Sequence, residues 1–368
     1  MPMRDFETKH IINLGLQNVI NPFFRTMAIK NEFSLKGNLT PFGVAFYIAP
    51  YINATTRCGT QEEKLLLFES MLDHRAYQLI PSTKRGYKGQ YEAIVEQACR
   101  NCTNIKNRQN KARDNSLKII EQIIEQERLL NNQIIMVKLS KEYSIDKELT
   151  GLVATKIASQ YQKPTLILNE VSQEDGSILW SGSGRIFSQS AFTHFRKFLD
   201  DSGYFEFAQG HEGAFGCAIK DENVKEFTEY SNVELASFDF SQKYFVDFIY
   251  DADILSADDI FQIANYDNLW GQGVEEPFVV VNNIRLTKDN VQLLKGTTLK
   301  ITVCANGQDI SLIRFGSSNE EYEKLYSDLG YVTINVIGHF QKNVWNGFVS
   351  PQIMIEDYEI VNNYKYYF

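Results

Sequence analysis

The chain has 368 residues, 43% hydrophobic and 23% charged, with a formal net charge of −9 at pH 7. This composition excludes a disordered polymer, and the length suits two or three domains. The opening Met-Pro-Met-Arg-Asp-Phe-Glu has no apolar signal core, and the weakly polar run from Phe42 to Ile52 is too short to span a bilayer. Five cysteines, Cys58, Cys99, Cys102, Cys217 and Cys304, form no disulfide-like framework, so reduced thiols in a cytoplasmic protein with no membrane partner are expected.

In chain order, residues up to about Asn132 read as helical. Within this stretch lies the segment Ile48-Ala-Pro-Tyr-Ile-Asn-Ala-Thr-Thr-Arg57. Asp73-His74-Arg75 falls in a predicted helix and reads as a surface coincidence. Between Ser82 and Arg113 stand Lys84, Arg85, Lys88, Arg100, Lys106, Arg108, Lys111 and Arg113 against only Glu92 and Glu96, a +6 segment in an acidic chain. A charge run is commonly a solvated face. Here Pro81-Ser-Thr-Lys-Arg-Gly-Tyr-Lys-Gly89 adds small residues and a Tyr among the cations, a mixture suited to backbone contact and base stacking. Cys99-Arg-Asn-Cys102 has the spacing of half a zinc site but lacks a second pair, and two small core residues on one helical turn account for it better. Leu117, Ile120 and Ile124, widened by Ile119 and Ile123, predict a long packed helix with its basic end over a groove and its apolar end against a core.

From Ile134 onward strands and helices alternate. Ile134 to Leu139 and Pro164 to Leu168 are short apolar runs, and the amphipathic stretch Leu149 to Tyr161 lies between them. That order predicts a strand, a crossover helix and a parallel strand. Two glycine segments follow, Ser181-Gly182-Ser183-Gly184-Arg185-Ile186 and Gly210-His211-Glu212-Gly213-Ala214-Phe215-Gly216, both expected on loops. A hydroxyl, a guanidinium fork and an imidazole among glycines suit phosphate oxygens; a hairpin turn and a loop with a solvated His fit the same pattern. Beyond Ser231, Asp251-Ala-Asp253 reads as a charged loop. Phe278 to Leu286, the alternations Leu299/Ile301/Val303 and Val332/Ile334/Val336, a helix at Glu320 to Ser327 and the turn Asn346-Gly347 predict a small β-barrel. Trp345, Tyr331 and Phe315 are its candidate stacking residues.

This ordered set of motifs resembles the RecJ family of single-strand-specific 5′-to-3′ exonucleases, in the DHH phosphoesterase superfamily, and most closely its phage-type members. The resemblance implies an α+β multidomain fold: a linking region and long basic connecting helix over 1–132, an α/β DHH-associated domain over 133–235, and an OB-type β-barrel over 236–368. It places Ser183, Gly184 and Arg185 at a 5′-phosphate pocket, and His211, after Gly210, beside the scissile phosphate. It places Asn53 and Arg57 along the strand; Lys84, Arg85, Lys88, Arg100, Arg108 and Lys111 join them as expected DNA contacts. Two departures stand out: Gln209 where the family has a first Gly before Gly-His, and Tyr51 where it has an Arg after the Pro.

The family's two-metal centre belongs to an N-terminal domain with Asp-x-Asp and Asp-His-His motifs, and this sequence contains no Asp-His-His triplet. Its five histidines, His10, His74, His194, His211 and His339, are scattered. The expected function is therefore to bind single-stranded DNA and orient its 5′ end. Catalysis and its Mn or Mg ions would come from a DHH-type domain upstream or on a second polypeptide. The alternative expectation is a stand-alone, non-catalytic single-strand-binding protein.

Overall fold

A computed structural model describes every residue except 1–3, Lys36, Asn38, Gln272, 327–329, Asn346 and 366–368, and the side chains of 362–365. Ser327 of the expected barrel helix and Asn346 of the expected turn thus lie outside the described residues. The chain divides into two compact units: one holds Asn21–Thr26 and Ala49–Lys243, the other Met1–Ile20, Met27–Ile48 and Tyr244–Phe368.

Seven short helices come first: α1 (Phe6–Gln17), α2 (Pro22–Lys30), α3 (Glu32–Leu35), α4 (Pro41–Tyr47), α5 (Ala49–Cys58), α6 (Gln61–Ser70) and α7 (Asp73–Ala76). The last of these contains Asp73-His74-Arg75. A two-stranded hairpin, β1 (Leu79–Pro81) and β2 (Tyr91–Ala93), then leads into the 33-residue helix α8 (Ile94–Gln126), about 50 Å long. Its buried stripe is apolar toward both ends and polar between them, at Gln109 and Ser116. Val95, Ala98, Cys99, Cys102 and Ile105 are buried in the first half, and Ile120 and Ile124 in the second. The basic half is therefore packed as firmly as the apolar half, and Ile119, placed in the stripe by spacing, is instead 37% exposed.

The expected strand–helix–strand is present as β3 (Ile135–Leu139), α9 (Lys147–Tyr161) and β4 (Thr165–Ser172), with β3 and β4 parallel. The sheet continues antiparallel through β5 (Ile178–Arg185), followed by α10 (Phe195–Ser202), β6 (Phe205–His211), β7 (Ala214–Lys220) and α11 (Asp221–Glu234). Its strand order is β3-β4-β5-β7-β6. One face buries Ile135, Val137 and Ile167 against α8 and α9; the other buries Leu166, Leu168, Phe215 and Cys217 with Phe195 and Phe227. Burial pushes the Cys217 thiol up to about 12, which keeps it neutral in that core.

The second unit is built on β8 (Phe248–Asp251), α12 (Ala257–Ala264), β9 (Val279–Leu286), β10 (Val291–Leu294), β11 (Thr298–Ala305), β12 (Gln308–Phe315), α13 (Asn319–Lys324), β13 (Gly330–Trp345) and β14 (Phe348–Lys365). Its seven strands are ordered β10-β11-β12-β14-β13-β9-β8. Val291 of β10 and Val279 of β9, near opposite ends of that order, share one core with Ile301, Leu312, Val332 and Ile353, so the sheet coils back on itself. Register shifts within the long β13–β14 pair, at Thr333/Ile334 and Ile337/Gly338, supply the bends. The alternating residues face inward as the pattern predicts, apart from Val303, which is half-buried. No helix among the described residues is long and apolar enough to cross a membrane.

Candidate nucleic-acid interface

The first glycine segment is a strand, not a loop. Ser181 to Arg185 form the end of β5, at the centre of the sheet, and the second segment supplies the end of β6, a tight turn and the start of β7. A side chain at Gly182 would place its Cβ 2.0 Å from the Ile167 carbonyl oxygen of β4, so only glycine fits so close to the neighbouring backbone. With the even positions small, the odd positions Ser181, Ser183 and Arg185 line up on the opposite face.

That face carries the candidate site. Thr150 of α9 donates to the Lys147 carbonyl (2.8 Å), which commits its single proton, so Ser183 is the donor in the 2.8 Å contact between Ser183 Oγ and Thr150 Oγ1. To donate to a phosphate, the Ser183 hydroxyl must release Thr150. Arg185 is half-buried, and its Nη1 donates to the carbonyls of Gly184 (2.6 Å) and Phe215 (3.2 Å). Its Nη2 lies against Gly151, where an added Cβ would stand 2.3 Å away. Among the described residues no carboxylate forms an ion pair with Arg185. Burial, and next the charge of Arg57, lowers its pKa, yet a guanidinium stays protonated. A partly desolvated cation held by two carbonyls and pushed by another cation is a site for an anion.

Arg57, exposed at the C-terminal end of α5, belongs to a wider group. Burial and the charges of Arg113 and, more weakly, Arg57 hold the Lys106 ammonium below its usual range, while Lys106 Nζ donates to Gln109 Oε1 (2.8 Å). Arg113 also pairs with Asp114 (2.7 Å). Arg57 of α5 thus feels the charge of Arg185 on β5 and of Lys106 on α8, and Lys106 that of Arg113. Sequence reading had marked Arg57 and Arg185 but counted Lys106 and Arg113 only as part of a charge run; it took no note of Thr150 or Gly151. An unexplained glycine inside the amphipathic α9 was the one available signal.

The other expected contacts are spread out. His211 and Arg185 each pair with Ala214, so they occupy one row across three strands, about 10 Å apart along the backbone. His211 is exposed, as is Asn53. Lys84, Arg85 and Lys88 are exposed on the loop between β1 and β2, where Lys84 Nζ sits 4.1 Å from the Tyr87 ring centroid. Arg100 braces that loop: its Nη2 donates to Glu92 Oε1 (2.6 Å) and Thr83 Oγ1 (3.0 Å). Arg108 forks onto Glu63 at 3.2 and 3.4 Å, and Lys111 is exposed on α8. In the second unit, Trp345 (59% exposed) meets Phe33 edge-on at 6.2 Å, Phe315 is 70% exposed, and the Tyr331 ring lies under Arg285.

A consequence follows for Gly151→Ala. The atom it would strike is the tip of a flexible side chain, so the fold tolerates the change, and alanine favours the helix by up to about 1 kcal/mol. Unfolding should show unchanged or raised stability, while affinity for a 5′-phosphorylated oligonucleotide falls about 10-fold because Arg185 is displaced.

The RecJ OB domain family matches residues 246–357, the coiled sheet of the second unit. Over 360 residues the chain is 33% identical to a Bacillus subtilis (strain 168) protein provisionally named SPbeta prophage-derived single-strand DNA-specific exonuclease YorK, and equally to its counterpart in Bacillus phage SPbeta. The alignment covers 97% of this chain. Residues 246–357 thus carry a RecJ OB domain. Its fold agrees with RecJ from Thermus thermophilus: the Mg2+ complex superposes with a TM-score of 0.62 at 18% identity over 97% of this chain and 50% of that one, and the Mn2+ complex with 0.58 at 17% over 94% and 45%. The chain spans 62% of the length of its phage and prophage relatives. Among its described residues no group of three or more His, Cys, Asp or Glu could hold a metal ion, so these residues do not fit the metals of the Thermus complexes, and no metal-dependent step is assigned to them.

Proposed function

We propose that this chain, as part of a RecJ-type exonuclease, grips single-stranded DNA at its 5′-phosphorylated end and orients it for 5′-to-3′ phosphodiester hydrolysis, with the metal ions held by a DHH-type domain. The observation that carries this reading is Arg185, a half-buried cation whose described polar contacts are carbonyls and whose fork matches a terminal phosphate. Ser183 stands beside it as a second donor. Arg57, Lys106 and Arg113 continue the positive track for the following phosphates, and the Lys84–Lys88 loop, with Tyr87, offers charge and a stacking ring farther along. His211, exposed in the same row as Arg185, is the donor placed to meet an inner phosphate.

Incubation with Mn2+ or Mg2+ tests this. Residues 1–368 alone are expected to bind 5′-phosphorylated single strands and leave them full length, and the same chain joined to the metal-binding domain of a close relative to digest them from the 5′ end. Metal-dependent digestion by 1–368 alone, surviving repurification and abolished by His211→Ala, contradicts the reading.

A further inference from the structure

All of the net charge of −9 falls in residues 244–368, where seventeen Asp and Glu face eight Lys and Arg. An OB-type sheet with that balance repels a phosphate backbone, so any hold on a single strand must come through the bases. The same sheet contains a place for one. A cavity of about 260 Å³ opens between β9 and β11, four places apart in strand order, with the exposed residues Asp253, Asn283 and Arg285 and the half-buried Ala252 and Val303 in its lining.

The backbone is shaped at this point. Asn283 adopts φ 63° in the middle of β9, a conformation that non-glycine residues rarely take, and the pairing of β9 with β13 shifts between Ile334 and Val336. Three hydrogen bonds fix the bulge: Asn283 N donates to Asn335 Oδ1 (2.9 Å), Asn283 Nδ2 to Asp251 Oδ2 (2.6 Å) and Asp253 N to Asp251 Oδ1 (3.1 Å). Asp251, at the end of β8, thereby becomes a structural brace, and Asp253 just beyond it is exposed on the lining of the same cavity as Arg285. The guanidinium of Arg285 lies 5.5 Å over the Tyr331 ring.

We propose that this cavity captures one guanine base of a single strand. Guanine is the base whose O6 and N7 accept from an arginine and whose amino group donates to a carboxylate, and Ala252 and Val303 offer its ring apolar contact. The proposal rests on the strand-binding function above, and its test separates the two. Residues 1–368 are titrated with a 5′-phosphorylated oligo-dT and with the same oligomer carrying a single dG, alongside Arg285→Gln and Asp253→Asn, both at exposed positions. The dG oligomer is expected to bind about 10-fold more tightly, with a ratio that holds from about 50 to 200 mM salt and falls to near one in either variant. Tight binding of both oligomers without a dG preference, or a preference that both variants retain, overturns the guanine site and leaves strand binding standing. Failure to bind any oligonucleotide overturns both.

Discussion

Arg185→Ala is expected to lower affinity for 5′-phosphorylated single strands about 10- to 100-fold while leaving 5′-hydroxyl strands nearly unaffected, in a fluorescence-anisotropy titration. The fork is half-buried, held at Nη1 by the Gly184 and Phe215 carbonyls and set against Gly151 at Nη2, so its geometry is fixed before a ligand arrives. Removing it takes away both the charge and the directed N–H groups. Arg185→Lys keeps the charge and loses the fork, so it should fall between the two. Arg108→Ala with Lys111→Ala should act differently, weakening all strands alike and reducing the salt slope. If Arg185→Ala leaves the end preference unchanged, the phosphate-pocket assignment is wrong.

Gly182→Ala is expected to be the most damaging single methyl group in the sheet, costing about 3 kcal/mol and lowering the melting temperature by about 10 °C. Its Cβ would meet the Ile167 carbonyl oxygen at 2.0 Å, with Ile167 C and Leu168 Cα at 3.0 Å, all backbone of the adjoining strand. Unlike the arginine tip beside Gly151, a paired strand cannot step aside without losing its ladder. Calorimetry on the two glycine variants should separate them: Gly182→Ala loses stability, Gly151→Ala loses ligand. Equal melting temperatures for Gly182→Ala and the parent would mean that β4 and β5 are not this close.

These glycines also show what could be read in advance. The apolar runs Ile134–Leu139 and Pro164–Leu168 and the amphipathic stretch between them predict the parallel strand pair and its helix, since local periodicity encodes such elements. The inward positions Ile301, Val332, Ile334 and Val336 of the coiled sheet were legible for the same reason. The placement of Ser181–Arg185 was not. A glycine that serves a turn and one that lets a neighbouring strand approach are identical in sequence, and the deciding atom, the Ile167 carbonyl, comes from another strand. Charge was similarly ambiguous. Arg100 and Arg108 read as available from sequence, yet the fold supplies Glu92 and Glu63 as partners, whereas Lys106 gains its place near Arg57 and Arg113 from the packing of α8 against α5. Ion-pair choice at such separations is set by tertiary structure, not by local pattern.

End selection is the central claim, and it is tested by offering wild-type residues 1–368 two isomeric single strands, one phosphorylated only at its 5′ end and the other only at its 3′ end, in direct competition without divalent metal. Total charge and base sequence are then identical, so only the position of the terminal phosphate differs. The clamp at Arg185 and Ser183 predicts that the 5′-phosphorylated strand wins by about 10-fold or more. Equal competition by the two isomers, or preference for the 3′-phosphorylated one, would contradict it.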